Sequence, residues 1–453
     1  PWRKTTKLTE SDAERMTVEK SPLIETARRC GIVGAGGAGF PMYKKLERPV
    51  DTFILNAAEC EPLLHKDKEL LKAFPREIVS GIVSVMEAAG AREGIIAIKY
   101  KYTDVIECLS ACLPPSIRIH KLGDFYPAGD EFILVYEVMA AAIRPRQLPP
   151  DVNVLVQNVE TILNLAKAKP VTTKYLTVAG AVTNPVTVQV PIGMSYRDVI
   201  DLAGGMTVQD AIVLSGGVMM GKLQEDLSTP ITKTTGGLII LPRDHPVAIR
   251  YLRDQTTVNR IGRSACDQCS FCTELCPRYL LGHPIEPHKA MRTLGFVDDH
   301  LGQLLGTEFC CECNLCTMYS CPEDLDPKNA CVRGKNIVRK SEVRWTPPAQ
   351  PRDTHPLIRD RKIPVSNLMR KLGLKVFNNT GPLVSDIPQP RSVEIPLSQH
   401  IGAPAQPTVK PGDRVRIGDV IGEIPAGQLG CPIHASMDGM VRAVDHCVRI
   451  EQA

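Results

Sequence analysis

Eight cysteines of this chain fall in two compact blocks, Cys266-x2-Cys269-x2-Cys272-x3-Cys276-Pro277 and Cys310-x2-Cys313-x2-Cys316-x4-Cys321-Pro322. The spacing dictates the local fold, because three thiolates two residues apart wrap three corners of a 4Fe-4S cubane. The fourth cysteine, followed by proline, leaves its loop and ligates the other cluster where two such blocks share a fold. The expected sets are therefore crossed. Cys266, Cys269, Cys272 and Cys321 hold one cluster, and Cys310, Cys313, Cys316 and Cys276 hold the other. Such a pair implies electrons passed one at a time.

Structural zinc and disulfides are the competing explanations. Zinc sites use separated C-x2-C knuckles or mix cysteine with histidine, whereas each block here has four regularly placed cysteines and no histidine. A disulfide framework suits small secreted domains, and this chain is long with its thiols bunched. The second block carries Thr317 to Ser320 before its last cysteine, one residue more than the first. Cys311 adjoins Cys310 and competes as a ligand; the regular spacing selects Cys310.

A chain of 453 residues holds several domains rather than one core. Its 43% hydrophobic and 23% charged content is that of an ordinary globular protein. A net charge of +4, with dispersed basic residues, argues against nucleic acid. The longest apolar stretch, Phe132 to Ile143, is short and broken by Glu137, so no membrane span is expected. The start, Pro1-Trp2-Arg3-Lys4, runs into polar sequence and carries no secretory signal; without an initiator methionine it reads as trimmed or incomplete. Sixteen cysteines without an export signal point to a reducing cytoplasm.

The expected fold class is multidomain α/β. Residues 1–169 alternate apolar strands, such as Thr52 to Asn56 and Gly94 to Ile98, with helical stretches such as Pro75 to Ala89. Residues 170–245 are β-rich, with strands at Tyr175 to Ala179, Val186 to Val190 and Gly237 to Leu241 around a helix near Tyr196 to Ala203, and read as a β-grasp domain. Residues 246–345 form a helical, loop-rich segment around the cysteine blocks. Residues 346–390 are a proline-punctuated connector with one short helix capped by Ser366. In residues 391–453, short strands divided by Gly-Asp turns suggest a barrel-sandwich like the lipoyl carriers. No lysine follows Lys410 to carry a prosthetic group, so a docking role is expected. His400 and His434 each stand alone and read as structural.

The second informative stretch is Gly31-Ile-Val-Gly34-Ala-Gly36-Gly37-Ala-Gly39-Phe40-Pro41. Such a loop lets backbone N–H groups approach a phosphate, and a following helix N-terminus favours the negative charge. It lacks the Walker lysine arrangement, which disfavours ATP chemistry. Its companions are Asn56-Ala-Ala-Glu59-Cys60-Glu61-Pro62, at the end of a strand where α/β sheets place ligand-binding side chains, Tyr126-Pro-Ala-Gly129-Asp130-Glu131, and Asn158-Val-Glu-Thr161.

Together these motifs resemble the FMN- and NADH-binding fold of the flavin subunit of respiratory complex I and of the Rnf C subunit. The resemblance implies that Gly34, Gly36, Gly37 and Lys45 meet the FMN phosphate side. It places Asn56, Glu59, Asp130, Glu131, Asn158 and Thr161 around the flavin, with Tyr126 and Gly129 in the same motif, and Phe40 and Glu61 at the nicotinamide nucleotide. Ala58 stands where the complex I family has an acidic residue and Arg48 where it has an aromatic one. Residues 174–241 look like a soluble-ligand-binding β-grasp (SLBB) domain, and the cysteine segment looks like that of the Rnf subunit.

The Rnf subunit opens with its barrel-sandwich, whereas this chain closes with it. That permuted order resembles the cobalamin reductases of propanediol-utilisation microcompartments, the PduS type. The resemblance implies an oxidoreductase that passes electrons from NADH through FMN and two 4Fe-4S clusters to cobalamin. It further implies a cytoplasmic, microcompartment location and an adenosyltransferase or shell proteins as partners. The electron path requires no acid/base residue. The rival readings are an Rnf-like subunit of a membrane-associated complex and a non-catalytic iron–sulfur scaffold with an empty glycine loop. No residue pattern marks a corrin pocket or an oligomeric state.

Overall fold

Runs rich in Ile, Val and Leu make the first sheet, β1 (Thr52–Ala57), β2 (Glu93–Lys99), β3 (Ile117–Leu122) and, after the two-residue strand β4 (Phe125–Tyr126), β5 (Val154–Asn158). The computed structural model describes residues 21–296, 300–350, 352–384 and 389–452. β1, β2, β3 and β5 pair in parallel in the order β3-β2-β1-β5. Parallel sheets are covered on both faces, which is why these strands read as continuous apolar runs. Phe53, Leu55 and Ile96 pack with the helix Pro75–Ala89, while Ile54 and Ile95 pack with the helix Glu131–Met139. The strand order turns between β1 and β5, and their last paired residues are Asn56 and Asn158. Open α/β sheets hold ligands outside the carboxyl ends of the strands at such a switch point.

The next sheet has six strands. Thr173–Gly180 pairs antiparallel with Val186–Pro191 and parallel with Gly237–Pro242, and Ala211–Ser215 and Lys222–Gln224 extend it. The helix Tyr196–Leu202 buries Val199 and Ile200 against it. The opposite edge strand, Leu383–Val384, comes from the connector. The connector also supplies Ile363–Pro364, antiparallel to β4. It therefore laces domains together. Its helix is Val365–Lys371, but Ser366 is not the cap: Pro364 holds that position, with φ −58 and ψ 135 and no side-chain hydrogen bond, and Ser366 lies inside the first turn.

The cysteine segment is helical, with Gln255–Ala265 leading into Cys266 and Pro327–Lys340 following the second block. Residues 391–452 form two small antiparallel sheets. Val393, Ile395, Ile421, Ile433, Val448 and Ile450 share one apolar core with Ile32, Met42 and Leu46 of the first domain. The stretch Phe132 to Ile143 is a helix ending at Met139, where Ala140 turns left-handed. Among the described residues no helix is long and apolar enough to cross a membrane.

Candidate functional site

The switch-point crevice is built from helix caps. Asn158 ends β5 and accepts from the Glu160 N–H at 3.0 Å, capping the helix Val159–Lys167. Its amide also donates to Asp67 at 2.7 Å. Asn56 ends β1, donates to the Gly129 carbonyl at 2.9 Å and accepts from Ala58 N at 3.2 Å. Asp130 caps the helix Glu131–Met139 through the Phe132 and Ile133 N–H groups. Both caps satisfy N–H groups left open at a helix start.

The glycine loop is a tight reversal, with Gly34 N donating to Phe40 O at 2.9 Å and Val33 bridging Pro41. The helix after it, Met42–Leu46, has five residues. Charge near the loop comes instead from a buried network that sequence reasoning missed. Glu160 accepts from Lys66 at 2.8 Å and from Lys174, and Lys174 also donates to the Ala35 carbonyl at 3.2 Å. Thr161, fully buried, accepts from Ala35 N at 2.9 Å. Burial acts to raise the Glu160 carboxyl, yet the Lys174 and Lys66 ammonium groups hold it below the usual range. Burial lowers Lys174 to about 8. The loop is thereby pinned to the same helix that Asn158 caps.

The remaining candidates divide. Lys45 lies 3.3 Å from Glu131 and from the Val156 carbonyl, at the crevice. Glu59 accepts from Asp67 N at 2.8 Å, and burial together with the Asp67 charge raises it to about 7. Glu61 turns to the SLBB-like sheet, where its oxygens accept from Met219 N at 2.9 Å and Met220 N at 2.8 Å. A Cβ on Gly217 would stand 2.6 Å from that carboxylate, so only glycine admits the contact. Phe40 follows Gly39, whose carbonyl accepts from Ile401 N at 3.1 Å. The C-terminal barrel thus clamps the glycine loop, and buried Lys233 reinforces it by donating to the carbonyls of Gly31 at 2.8 Å and Pro432 at 3.1 Å. His400 contacts the Cys431 backbone at 3.0 Å, a structural role; His434 is buried and burial lowers it to about 4.

The two cysteine blocks share a backbone signature. Gln268 and Ser270 have φ of 60 and 68, and Glu312 and Asn314 have φ of 57 and 64. These left-handed residues flank Cys269 and Cys313, so the repeat aligns Cys310, not Cys311, with Cys266. The extra residue of the second block is absorbed by a π turn at Cys316–Ser320, where Cys321 N donates to Cys316 O at 3.1 Å. Cys266, Cys269, Cys272 and Cys321 line one cavity with His288 and Met291. Cys276 lies near the Cys310 and Cys311 thiols. Cys331, absent from the sequence-based set, is buried in contact with Cys310.

Two contacts join this segment to the crevice. Tyr126, 1% exposed, donates from its hydroxyl to the Cys313 carbonyl at 2.8 Å. Arg278 lies 2.7 Å from Asp130 and stacks over the Phe132 ring at 3.8 Å, and its guanidinium reaches the Cys311 thiol.

The residues fit the groups that their chemistry implies. Among the described cysteines all are free thiols. Burial and the neighbouring Cys321, Cys266 and Cys269 thiols push Cys272 up to about 12, so four thiolates gather there only around compensating positive charge. At the crevice, Gln157 Nε2 is buried at the end of β5 without a hydrogen-bond partner, and a Cβ on Gly37 would meet no protein atom within 4 Å. An open glycine cradle beside an unused donor suits a flavin phosphate and ring edge.

Residues 27–167 match the Nuo51 FMN-binding domain, 175–223 the SLBB domain, 265–326 the 4Fe-4S dicluster domain and 375–453 the RnfC barrel sandwich hybrid domain. Across 434 residues, 95% of this chain and 96% of the relative, the sequence is 44% identical to the cobalamin reductase PduS of Salmonella typhimurium strain LT2. The chain belongs to the PduS family. The PduS of Citrobacter freundii is 42% identical over 438 residues, covering 95% of this chain and 96% of that one. The RnfC-type component of the Na+-translocating ferredoxin:NAD+ oxidoreductase complex of Acetobacterium woodii is 32% identical over 261 residues, 55% of this chain and 56% of its own. Likeness to PduS therefore runs almost end to end, while likeness to the Rnf-type subunit spans about half.

Proposed function

We propose that this chain is a cobalamin reductase that takes electrons from NADH at an FMN in the switch-point crevice and delivers them through two 4Fe-4S clusters. The observation that carries this reading is the near full-length similarity to PduS, with the barrel at the C-terminal end. A bound flavin converts a two-electron hydride into single electrons, and cubanes carry them singly. NADH releases two electrons and a proton, while each reduction of cobalt, from Co(III) to Co(II) and on to Co(I), takes one.

The chain's own residues position and insulate. Gly34, Gly36, Gly37 and Lys45 serve the phosphate side; Asn56, Glu59, Tyr126, Gly129, Asp130, Glu131, Asn158 and Thr161 frame the flavin; Phe40 and Glu61 serve the nicotinamide side. Glu61 reaches that role together with the Met219–Met220 loop it already holds. The Cys266 and Cys310 sets hold the clusters with Cys321 and Cys276 exchanged. A microcompartment location and adenosyltransferase or shell partners belong to the same proposal.

Anaerobically purified protein is expected to release FMN on heating and to contain roughly eight irons per chain. NADH is expected to reduce cob(III)alamin, followed by its visible spectrum. Flavin-free protein, or reduction of artificial dyes without reduction of cobalt, rejects the reading.

A further inference from the structure

The two cluster sites stand differently toward the crevice, an asymmetry whose meaning rests on the cobalamin-reductase reading. The second block touches the flavin-type domain directly. Tyr126 hydrogen-bonds the Cys313 carbonyl. Arg278, two residues after Cys276, spans from Asp130 to the Cys311 thiol over the Phe132 ring. Its Nε is buried with no hydrogen-bond partner, an N–H still available at this junction. Asp130 follows Gly129, whose carbonyl holds Asn56 at the end of β1. The crevice and the second block are thus joined by side chains alone.

The first block has no such junction. Its cavity is lined by residues between Cys266 and Pro327, with none from the flavin-type domain. Cys269 is exposed, and Phe271 beside it is 50% exposed. Cys272 and Cys316 interact, so the first site adjoins the second. Electron transfer slows steeply with distance, and the arrangement therefore has an inner and an outer site.

We propose that the cluster held by Cys276, Cys310, Cys313 and Cys316 receives electrons from the flavin, that the cluster held by Cys266, Cys269, Cys272 and Cys321 delivers them at the surface, and that Arg278 is the positioning residue at the inner junction. Each transfer moves one electron, oxidising the donor and reducing the acceptor by one. Reduction adds negative charge to a cluster, which a nearby guanidinium stabilises. Arg278 therefore holds the inner cluster at a higher potential than it would otherwise have.

The test is an EPR-monitored redox titration of full-length, FMN- and iron-loaded protein as wild type, Arg278→Gln and Arg278→Lys. Chemical reductants set the potential, so the result is independent of the physiological donor. A soluble dysprosium chelate marks the outer cluster, whose relaxation it enhances more, without altering a ligand. Arg278→Gln is expected to lower the midpoint of the less dysprosium-sensitive cluster alone, and Arg278→Lys to restore most of it. A shift confined to the more sensitive cluster, or none in either, overturns the assignment. Protein without flavin fails the functional reading instead, and the initial FMN and iron count separates the two failures.

Discussion

Cys310 and Cys311 are adjacent thiols with different backbone settings. The left-handed residues Glu312 and Asn314 repeat those at Gln268 and Ser270, which gives Cys310 the place of Cys266. Cys310→Ala is expected to lower iron from roughly eight to roughly four per chain, whereas Cys311→Ala keeps roughly eight, by iron and sulfide assay. Glu59 makes a second prediction. Its carboxyl rises from 4.5 to about 7 through burial and the Asp67 charge. Between those values the folded protein keeps a proton that the unfolded chain releases, so this group's contribution to stability falls as pH rises and is flat above about 7. Glu59→Gln is expected to flatten that part of the slope of thermal midpoint against pH; an unchanged slope assigns it to other groups.

At the scale of elements, the helix Val159–Lys167 carries both the Asn158 cap and the Glu160 ion network. Asn158→Ala is expected to cost about 1 kcal/mol through the lost cap and to weaken FMN retention, read by denaturation midpoint and flavin release. Asn158→Asp keeps the cap but sets a carboxylate against Asp67, and is expected to lose flavin with less loss of stability. Local signals were legible in advance. Pro75–Ala89 shows as a helix because proline stands in its first turn and Gly90 closes it with φ 69. The cysteine loops show because their spacing is itself local. Pairings across long stretches of chain were not legible: Lys66 meets Glu160 across 94 residues and Arg278 meets Asp130 across 148, and no periodicity encodes them. The misplaced Ser366 cap has the opposite cause, a strong capping residue overridden by the proline two positions earlier.

For the whole molecule, the barrel and the flavin-type domain share one apolar core, while the cysteine segment has its own around Met291, Leu304 and Val338. Removal of residues 391–453 is expected to strip FMN while leaving roughly eight irons per chain, by the same paired assay; equal loss of both would mean that the clusters depend on the barrel. The barrel also lies beside the start of the described chain, since Lys233 ties Gly31 to Pro432 and the Cys431 thiol contacts Ile32 O at 3.7 Å. A tether between neighbours in space adds little entropy cost, only about 0.6 kcal/mol for each doubling of its length. Gene order and spatial order are therefore decoupled here: the clamp over the glycine loop can be encoded ahead of that loop or several hundred residues behind it, and evolution can reshuffle the segments without redrawing the machine.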